Sequence, residues 1–218
     1  GRRVIARARA KARATDTSLA ALSEIDYLTA VDDYSRVGAL RLRNEAGQYL
    51  RGAEAEGHTT PVLLELEKIL QASRAVELSQ ETAADLKYLQ GKGTSLGGMR
   101  PKCTVLDTDG ALCLGKFPSV SDERCVTRGE VLALRLATLA GIDSALARIV
   151  MVQEQPVAII RRFDRTPDQG RIPYISGATL LQAKRDDEHS YTEILDLMRS
   201  HCKNFVADAK QLWRRLVF

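Results

Sequence analysis

With 218 residues, 44% of them hydrophobic but only 5% aromatic, the chain suits one large domain or two small ones with a real core. Its formal net charge of +4 is mild, and a run of basic residues lies within residues 1–13. No aromatic residue interleaves this run, which excludes a stacking platform for single-stranded nucleic acid. The run fits either an arm for an anionic partner or the solvated end of an alanine-rich helix.

The four cysteines and three histidines show no spacing typical of metal ligands. No two cysteines form a Cys-x-x-Cys pair and the histidines are scattered, so a metal site is not expected. The sequence contains no signal peptide or membrane-spanning run, and we expect reduced thiols in a cytoplasmic protein. The chain begins without methionine inside a helical pattern, which suggests a fragment or a processed product.

The first ninety residues predict several helices and one strand. The alternating pattern of residues 37–43 predicts the strand, followed by a turn at residues 44–47. The polar residues 52–59 predict an exposed loop. Apolar stripes and capping residues predict helices over residues 1–14, 16–30 (capped by Thr17 or Ser18), 61–72 and 79–89.

After residue 93 the pattern changes to paired strands. Residues 102–106 and 111–117 flank Asp107-Thr108-Asp109-Gly110, whose Asp-Gly step is a strong hairpin signal. Ser121 or Asp122 is expected to cap a long helix that ends at Gly141. A second strand pair and two further helices are predicted at residues 147–152, 157–163, 191–200 and 208–217.

This order of elements predicts an α+β fold with an antiparallel sheet, preceded by a mainly helical segment, and not a doubly wound fold. We place a boundary between Ala75 and Gly93, where the pattern of the sequence changes from helices to paired strands. The predicted division is residues 1–78, a linking helix at 79–92, and a second domain at 93–218.

A glycine-containing segment at residues 93–102 is the first candidate for nucleotide chemistry. The adjacent Gly97 and Gly98 allow the backbone to approach a phosphate, whose oxygens free N–H groups could bind. The segment matches neither the Walker pattern nor Gly-x-Gly-x-x-Gly, and an ordinary glycine turn is the alternative.

Lys116 and Glu130 are the second candidate. Lys116 lies in an apolar strand, where a lysine is unusual unless it is paired, although an edge-strand lysine facing water would also fit. Glu130 lies on the following helix and could orient the amine, or it could be a solvated carboxylate. Glu123 is a competing partner, but it lies in the first helical turn, where the helix dipole already favours a carboxylate.

The third candidate is the segment Arg161-Arg162-Phe163-Asp164-Arg165, which follows an apolar strand. A connection that leaves such a strand could present its backbone and the Phe163 ring to an adenine. The alternative is a charged strand end with pairing between arginine and aspartate.

Taken together and in order, these segments resemble the HipA family of toxin kinases. The resemblance rests on Ser95-Leu96-Gly97-Gly98-Met99-Arg100-Pro101-Lys102, Leu114-Gly115-Lys116-Phe117-Pro118, Arg128-Gly129-Glu130, Ala140-Gly141-Ile142 and Arg162-Phe163-Asp164-Arg165. It implies a serine/threonine kinase of a type II toxin–antitoxin system with a kinase-like fold. It also implies ATP and Mg²⁺ as cofactors, a HipB-like DNA-binding antitoxin as partner, contact with DNA only through that partner, and an aminoacyl-tRNA synthetase as substrate.

The resemblance also implies roles for individual residues. Lys116 would hold ATP phosphates, with Glu130 as its helix partner. Ser95 would be the autophosphorylated loop serine, whose added charge beside ATP would switch the kinase off. The other implied ATP contacts are Gly97, Gly98, Lys102, Phe163 and the backbone from Arg161, the last of which replaces a glutamate found in some relatives.

In that family the catalytic loop and the magnesium-binding aspartate would follow Phe218. We therefore expect no useful kinase turnover from this chain alone. The alternatives are a non-catalytic antitoxin-binding module and one half of a split kinase. Apolar residues of the last helix, Leu212, Trp213 and Leu216, would then be open to self-association or docking.

Overall fold

The computed structural model describes residues 5, 9, 12, 18, 21–50, 65–82, 84–85, 88–89, 100–184 and 186–218. Within this part of the chain the fold is α+β, as predicted. Its helices are α1 (Glu24–Thr29), α2 (Leu66–Glu77), α3 (Val126–Leu139), α4 (Gly177–Leu180), α5 (Tyr191–His201) and α6 (Phe205–Val217). Its strands are β1 (Lys102–Leu106), β2 (Leu112–Lys116), β3 (Ala147–Val152) and β4 (Gln155–Arg161).

The four strands form one antiparallel sheet in the order β1-β2-β4-β3. The predicted hairpin between β1 and β2 is confirmed, and Gly110 adopts a φ of +78° in its turn. The amide of Gly110 donates to Asp107 O at 3.0 Å, and that of Asp107 donates to Ala111 O at 2.9 Å. Strand β2 consequently lies inside the sheet, with a partner on each side.

One face of the sheet packs against α2 and forms the hydrophobic core. The apolar stripe of α2 and alternate residues of the strands meet there, because successive strand side chains point to opposite faces. The buried members include Leu66, Ile69, Leu70 and Ala72 of α2, Cys103 and Val105 of β1, Cys113 of β2, Phe117, and Val157 and Ile159 of β4.

Helix α3 packs against β3 and β4. It begins later than predicted, after Cys125, because Asp122 does not cap it. The Asp122 carboxylate instead accepts the Ser119 N–H at 3.0 Å and forms an ion pair with Arg100. The helix ends as predicted at a glycine, since Gly141 adopts a φ of +73°. The N–H of Ile142 donates to Ala137 O at 2.9 Å, which completes a Schellman motif.

Two predictions for the N-terminal segment are wrong in part. Helix α1 begins at Glu24 instead of residue 16, because Ser23 and Asp26 form a capping box there. Residues 37–43 form no strand: Gly38 has a φ of +74°, and an isolated bridge joins Arg43 to Tyr49. The turn predicted at residues 44–47 is present.

The remaining helices differ from the predictions mainly at their ends. Helix α2 extends to Glu77, beyond the predicted end at residue 72, and Ser79 lies in a turn with a φ of +56°. The predicted helices near the carboxyl end are confirmed as α5 and α6. Most of the predicted helix at residues 1–14 and the predicted loop at 52–59 lie outside the described residues. None of the described helices combines the length and the apolar character that a membrane span requires.

Candidate functional site

The structure brings Lys116 and Glu130 together. The buried neighbours Gly115 and Phe117 face the α2 side of the sheet, so Lys116 lies on the opposite face. There its Nζ forms an ion pair with Oε1 of Glu130 on α3, with the two side chains 26% and 30% exposed. The pair is thus half-buried and still accessible to a ligand, and its partner is Glu130, not Glu123.

Helix α3 is held against the sheet at this same end. The hydroxyl of Thr127 donates to Pro156 O at 2.8 Å. Pro156 lies two residues before Ala158, the residue of β4 that is opposite Lys116. Glu130 lies one turn of the helix beyond Thr127. The position of the carboxylate is therefore set by the packing of α3 on β4.

A second lysine lies directly beside this ion pair. Lys102 of β1 is the register partner of Lys116 across the hairpin, so the two side chains share one face of the sheet. Burial lowers the pKa of Lys102, the Lys116 ammonium lowers it further, and the Glu130 carboxylate opposes both. Two ammonium groups around one carboxylate make this place on the sheet suited to an anionic ligand.

An apolar row lies next to the lysines on the same face. Leu114 of β2 pairs with Ile160 of β4 and with Thr104 of β1, two residues along each strand from the row of Lys116. Ile160 is 8% exposed and Thr104 is fully buried. Next to the cationic row the face therefore carries the apolar side chains of Leu114 and Ile160, of which Leu114 is the more exposed. Such an arrangement suits a ligand with an anionic end and an apolar end.

Arg161 lies on the other face of the sheet. It pairs in register with Cys113, which belongs to the core face. Its guanidinium forms an exposed ion pair of 2.9 Å with Asp109, and its amide donates to Leu146 O at 2.8 Å. The structure thus does not bring the Arg161 side chain to the lysines.

Phe163 lies beyond the end of β4 and is 63% exposed. Its ring packs on Tyr174, with the centroids 5.4 Å apart and the planes tilted by 56°. Such a tilted pair is a favourable aromatic geometry. Despite this contact, the Phe163 ring remains largely open to solvent.

Arg162 and Asp164 form a buried ion pair, which is the alternative expected from the sequence for this segment. Their side chains are 5% and 1% exposed, and Arg162 Nη2 lies 2.6 Å from Asp164 Oδ2. By itself burial would raise the pKa of Asp164, but hydrogen bonds and charges from Arg162, Gly38 and Arg165 lower it to about 2. This carboxylate is therefore ionised and serves as a structural anchor.

The remaining predicted site residues, Ser95, Gly97 and Gly98, lie outside the described residues. Within the described part of the chain, no group of three or more His, Cys, Asp or Glu side chains has the geometry of a metal site.

A comparison with protein-family models identifies the relationship of this chain. The model of the HipA-like C-terminal domain matches residues 94–218, a range that contains the sheet, Lys116, Glu130 and all the helices that follow. No curated protein and no solved structure shows significant similarity to the chain. Because the match covers more than half of its residues, the chain belongs to the family of proteins with a HipA-like C-terminal domain.

Proposed function

We propose that the Lys116 face of the sheet binds ATP, as the nucleotide-binding part of a HipA-like serine/threonine kinase. The observation that carries this proposal is the ion pair between Lys116 and Glu130 on a half-open face, with Lys102 directly opposite. Phosphoryl transfer depends mostly on positioning and on neutralising phosphate charge, and a lysine fixed by a helix glutamate serves both purposes.

In this proposal the two lysines contact the phosphates, and Leu114 and Ile160 lie under the nucleoside. Glu130 holds the Lys116 amine in place through their ion pair. Mg²⁺, bound together with the nucleotide, would supply positive charge that offsets the charge of the phosphate oxygens. Gly97 and Gly98 would approach the same phosphates, and Phe163 would contact the base.

We further propose a biological setting for this activity. The chain would act in the cytoplasm as part of a toxin of a type II toxin–antitoxin system, with an aminoacyl-tRNA synthetase as substrate. A HipB-like antitoxin would bind it and supply the contact with DNA, and phosphorylation of Ser95 would switch the kinase off. The support for this setting is membership of the HipA-like family.

A non-catalytic binding module is the second candidate, and the surface of α6 favours it. Trp213, Leu216 and Val217 are 63%, 46% and 63% exposed, although each is a large apolar side chain. Exposed apolar groups that lie together on one helix are typical of a surface that meets another protein or a second copy.

Nucleotide binding by the Lys116→Met variant tests the first candidate. We expect wild type to bind a non-hydrolysable ATP analogue with Mg²⁺, and the variant to bind at least about tenfold more weakly, because the loss of one charge-assisted contact costs 1.5–3 kcal/mol, roughly. Isothermal titration calorimetry measures both affinities. Glu130→Gln should weaken binding less, since the amine remains.

Lys210→Met is the matched control, because Lys210 is an exposed lysine on α6 away from the sheet. It should leave the affinity unchanged. A wild-type chain without measurable binding, or equal binding by wild type and Lys116→Met, would contradict the proposed site and leave the binding module as the better candidate.

A further inference from the structure

Residues 32–38, which we call the clamp segment, precede the family-matched region yet are tied to the end of β4. Arg162 Nη1 donates to Ser35 O at 2.7 Å, and its Nη2 donates to Arg36 O at 3.1 Å. Arg165 Nη2 donates to Tyr34 O at 3.0 Å. The side chains of Arg162 and Arg165 are each only 5% exposed, so these contacts are shielded from water.

Asp164 and Arg171 also bind the clamp segment. The N–H of Gly38 donates to Asp164 Oδ2 at 2.7 Å. Arg171 Nη2 donates to Asp33 O at 2.6 Å, and its Nη1 reaches Gly38 O at 3.4 Å. Charge-assisted hydrogen bonds at both ends of the clamp segment fix its backbone relative to the sheet.

The clamp segment lies over the face that carries Lys116. Arg162 Nη1 also donates to Thr104 Oγ1 at 3.3 Å, and Thr104 shares that face with Lys102. The Arg162 amide donates to Leu112 O at 3.1 Å, and Leu112 is four residues, or about 13 Å, from Lys116 along β2. The face is thus bounded by α3 at the lysine end and by the clamp segment at the other.

We propose that the clamp segment borders the nucleoside part of the ligand and determines how well that part fits. Lys116 and Lys102 determine the affinity for the phosphates. This inference rests on the proposed nucleotide site. Leu114 and Ile160 lie between the lysines and the clamp segment. A nucleotide whose phosphates contact Lys116 would therefore extend its nucleoside toward the clamp segment. The N-terminal segment would then determine which bases are accepted.

Gly38→Ala tests the inference, because a Cβ at Gly38 would lie 3.2 Å from Tyr174 Cβ and 3.3 Å from Tyr174 N, at a φ of +74°. The close contact and the positive φ both strain an alanine here, so the clamp segment and Tyr174 are expected to move apart by a few tenths of an ångström. We expect the affinity for ATP to fall about five- to tenfold, a moderate loss typical of an altered apolar fit. Binding of inorganic tripolyphosphate, which lacks the nucleoside, should stay within about twofold.

Gly47→Ala is the matched control, since Gly47 has a φ of +78° with nothing within 4 Å of an added Cβ. It should change neither affinity, whereas Lys116→Met should weaken both ligands. If circular dichroism shows that Gly38→Ala is unfolded, Arg171→Lys replaces it: the charge stays, the two-pronged contact with the clamp segment is lost, and the same selective loss of ATP affinity is expected.

The outcomes separate the two proposals. Equal weakening of ATP and tripolyphosphate by Gly38→Ala, no weakening of either, or equal affinities of wild type for the two ligands would overturn the role of the clamp segment alone. A wild-type chain that binds neither ligand would overturn the proposed nucleotide site, and the inference with it.

Discussion

At the residue scale, the register places Lys116 and Lys102 directly opposite each other on neighbouring strands. Like charges directly opposite each other on neighbouring strands destabilise the pair. Burial lowers the pKa of Lys102, repulsion by the Lys116 ammonium lowers it further, and the Glu130 carboxylate opposes both. The Glu130 carboxylate, which forms an ion pair with Lys116, offsets part of this repulsion.

Asp164 leads to a prediction about acid stability. Its folded pKa of about 2 is below the unfolded value, so its contribution is complete above about pH 4 and is lost as the pH falls through about 2. The shift corresponds to about 2 kcal/mol. Urea unfolding should show Asp164→Asn less stable than wild type at pH 6, with the difference shrinking toward pH 2.

The exposed Asp143 supplies the control for this prediction. Asp143→Asn should differ little from wild type at either pH. A difference between Asp164→Asn and wild type that stays constant from pH 6 to pH 2 would show that the ionised carboxylate is not the source of the stability.

At the scale of elements, two glycines allow a paired test of the stability of α3. Gly129 lies inside the helix and Gly141 lies just after its end. Gly141 adopts a φ of +73°, which a side chain strains, so Gly141→Ala should lower the free energy of unfolding by about 1 kcal/mol. Gly129 has open space around its missing Cβ, and Gly129→Ala should raise that free energy by roughly 0.5–1 kcal/mol.

Urea unfolding followed by far-UV circular dichroism measures both changes. Opposite signs for the two variants are the expected result. A Gly141→Ala variant as stable as wild type would mean that the Schellman motif does not fix the end of α3.

The element boundaries show what local sequence can and cannot predict. The β1–β2 hairpin was predictable because its turn signal, Asp109-Gly110, acts within four residues. The start of α3 was mispredicted because Asp122 is used by Arg100, 22 residues away. Residues 37–43 alternate like a strand, yet the Gly38 amide is taken by the distant Asp164. Long-range hydrogen bonds overruled the local pattern in both cases.

For the molecule as a whole, the contact of α2 with the sheet predicts the effect of a core substitution. Ile69 is 1% exposed within the shared core, so Ile69→Ala should lower the free energy of unfolding by about 2–5 kcal/mol. The single tryptophan, Trp213, reports unfolding by fluorescence, and circular dichroism reports it independently. The exposed Val206 is the control: Val206→Ala should change stability by less than about 0.5 kcal/mol. An Ile69→Ala variant as stable as Val206→Ala would contradict a core shared by α2 and the sheet.

The candidate site was predictable only in part at this scale. The order of Lys116 and Glu130, a strand lysine followed by a helix glutamate, was enough to predict their contact. The attachment of residues 32–38 was not predictable, because the partners of Arg162 and Asp164 lie about 126 residues earlier in the chain. No local sequence pattern predicts a contact over such a distance along the chain.

The interior place of β2 in the sheet has a consequence for control of the molecule. Because β2 is hydrogen-bonded along both edges, the backbone beneath Lys116 cannot move without breaking two ladders. Glu130 stands on a separate helix that meets the sheet through side-chain packing. A backbone movement that separates the two groups would therefore displace α3 more readily than β2.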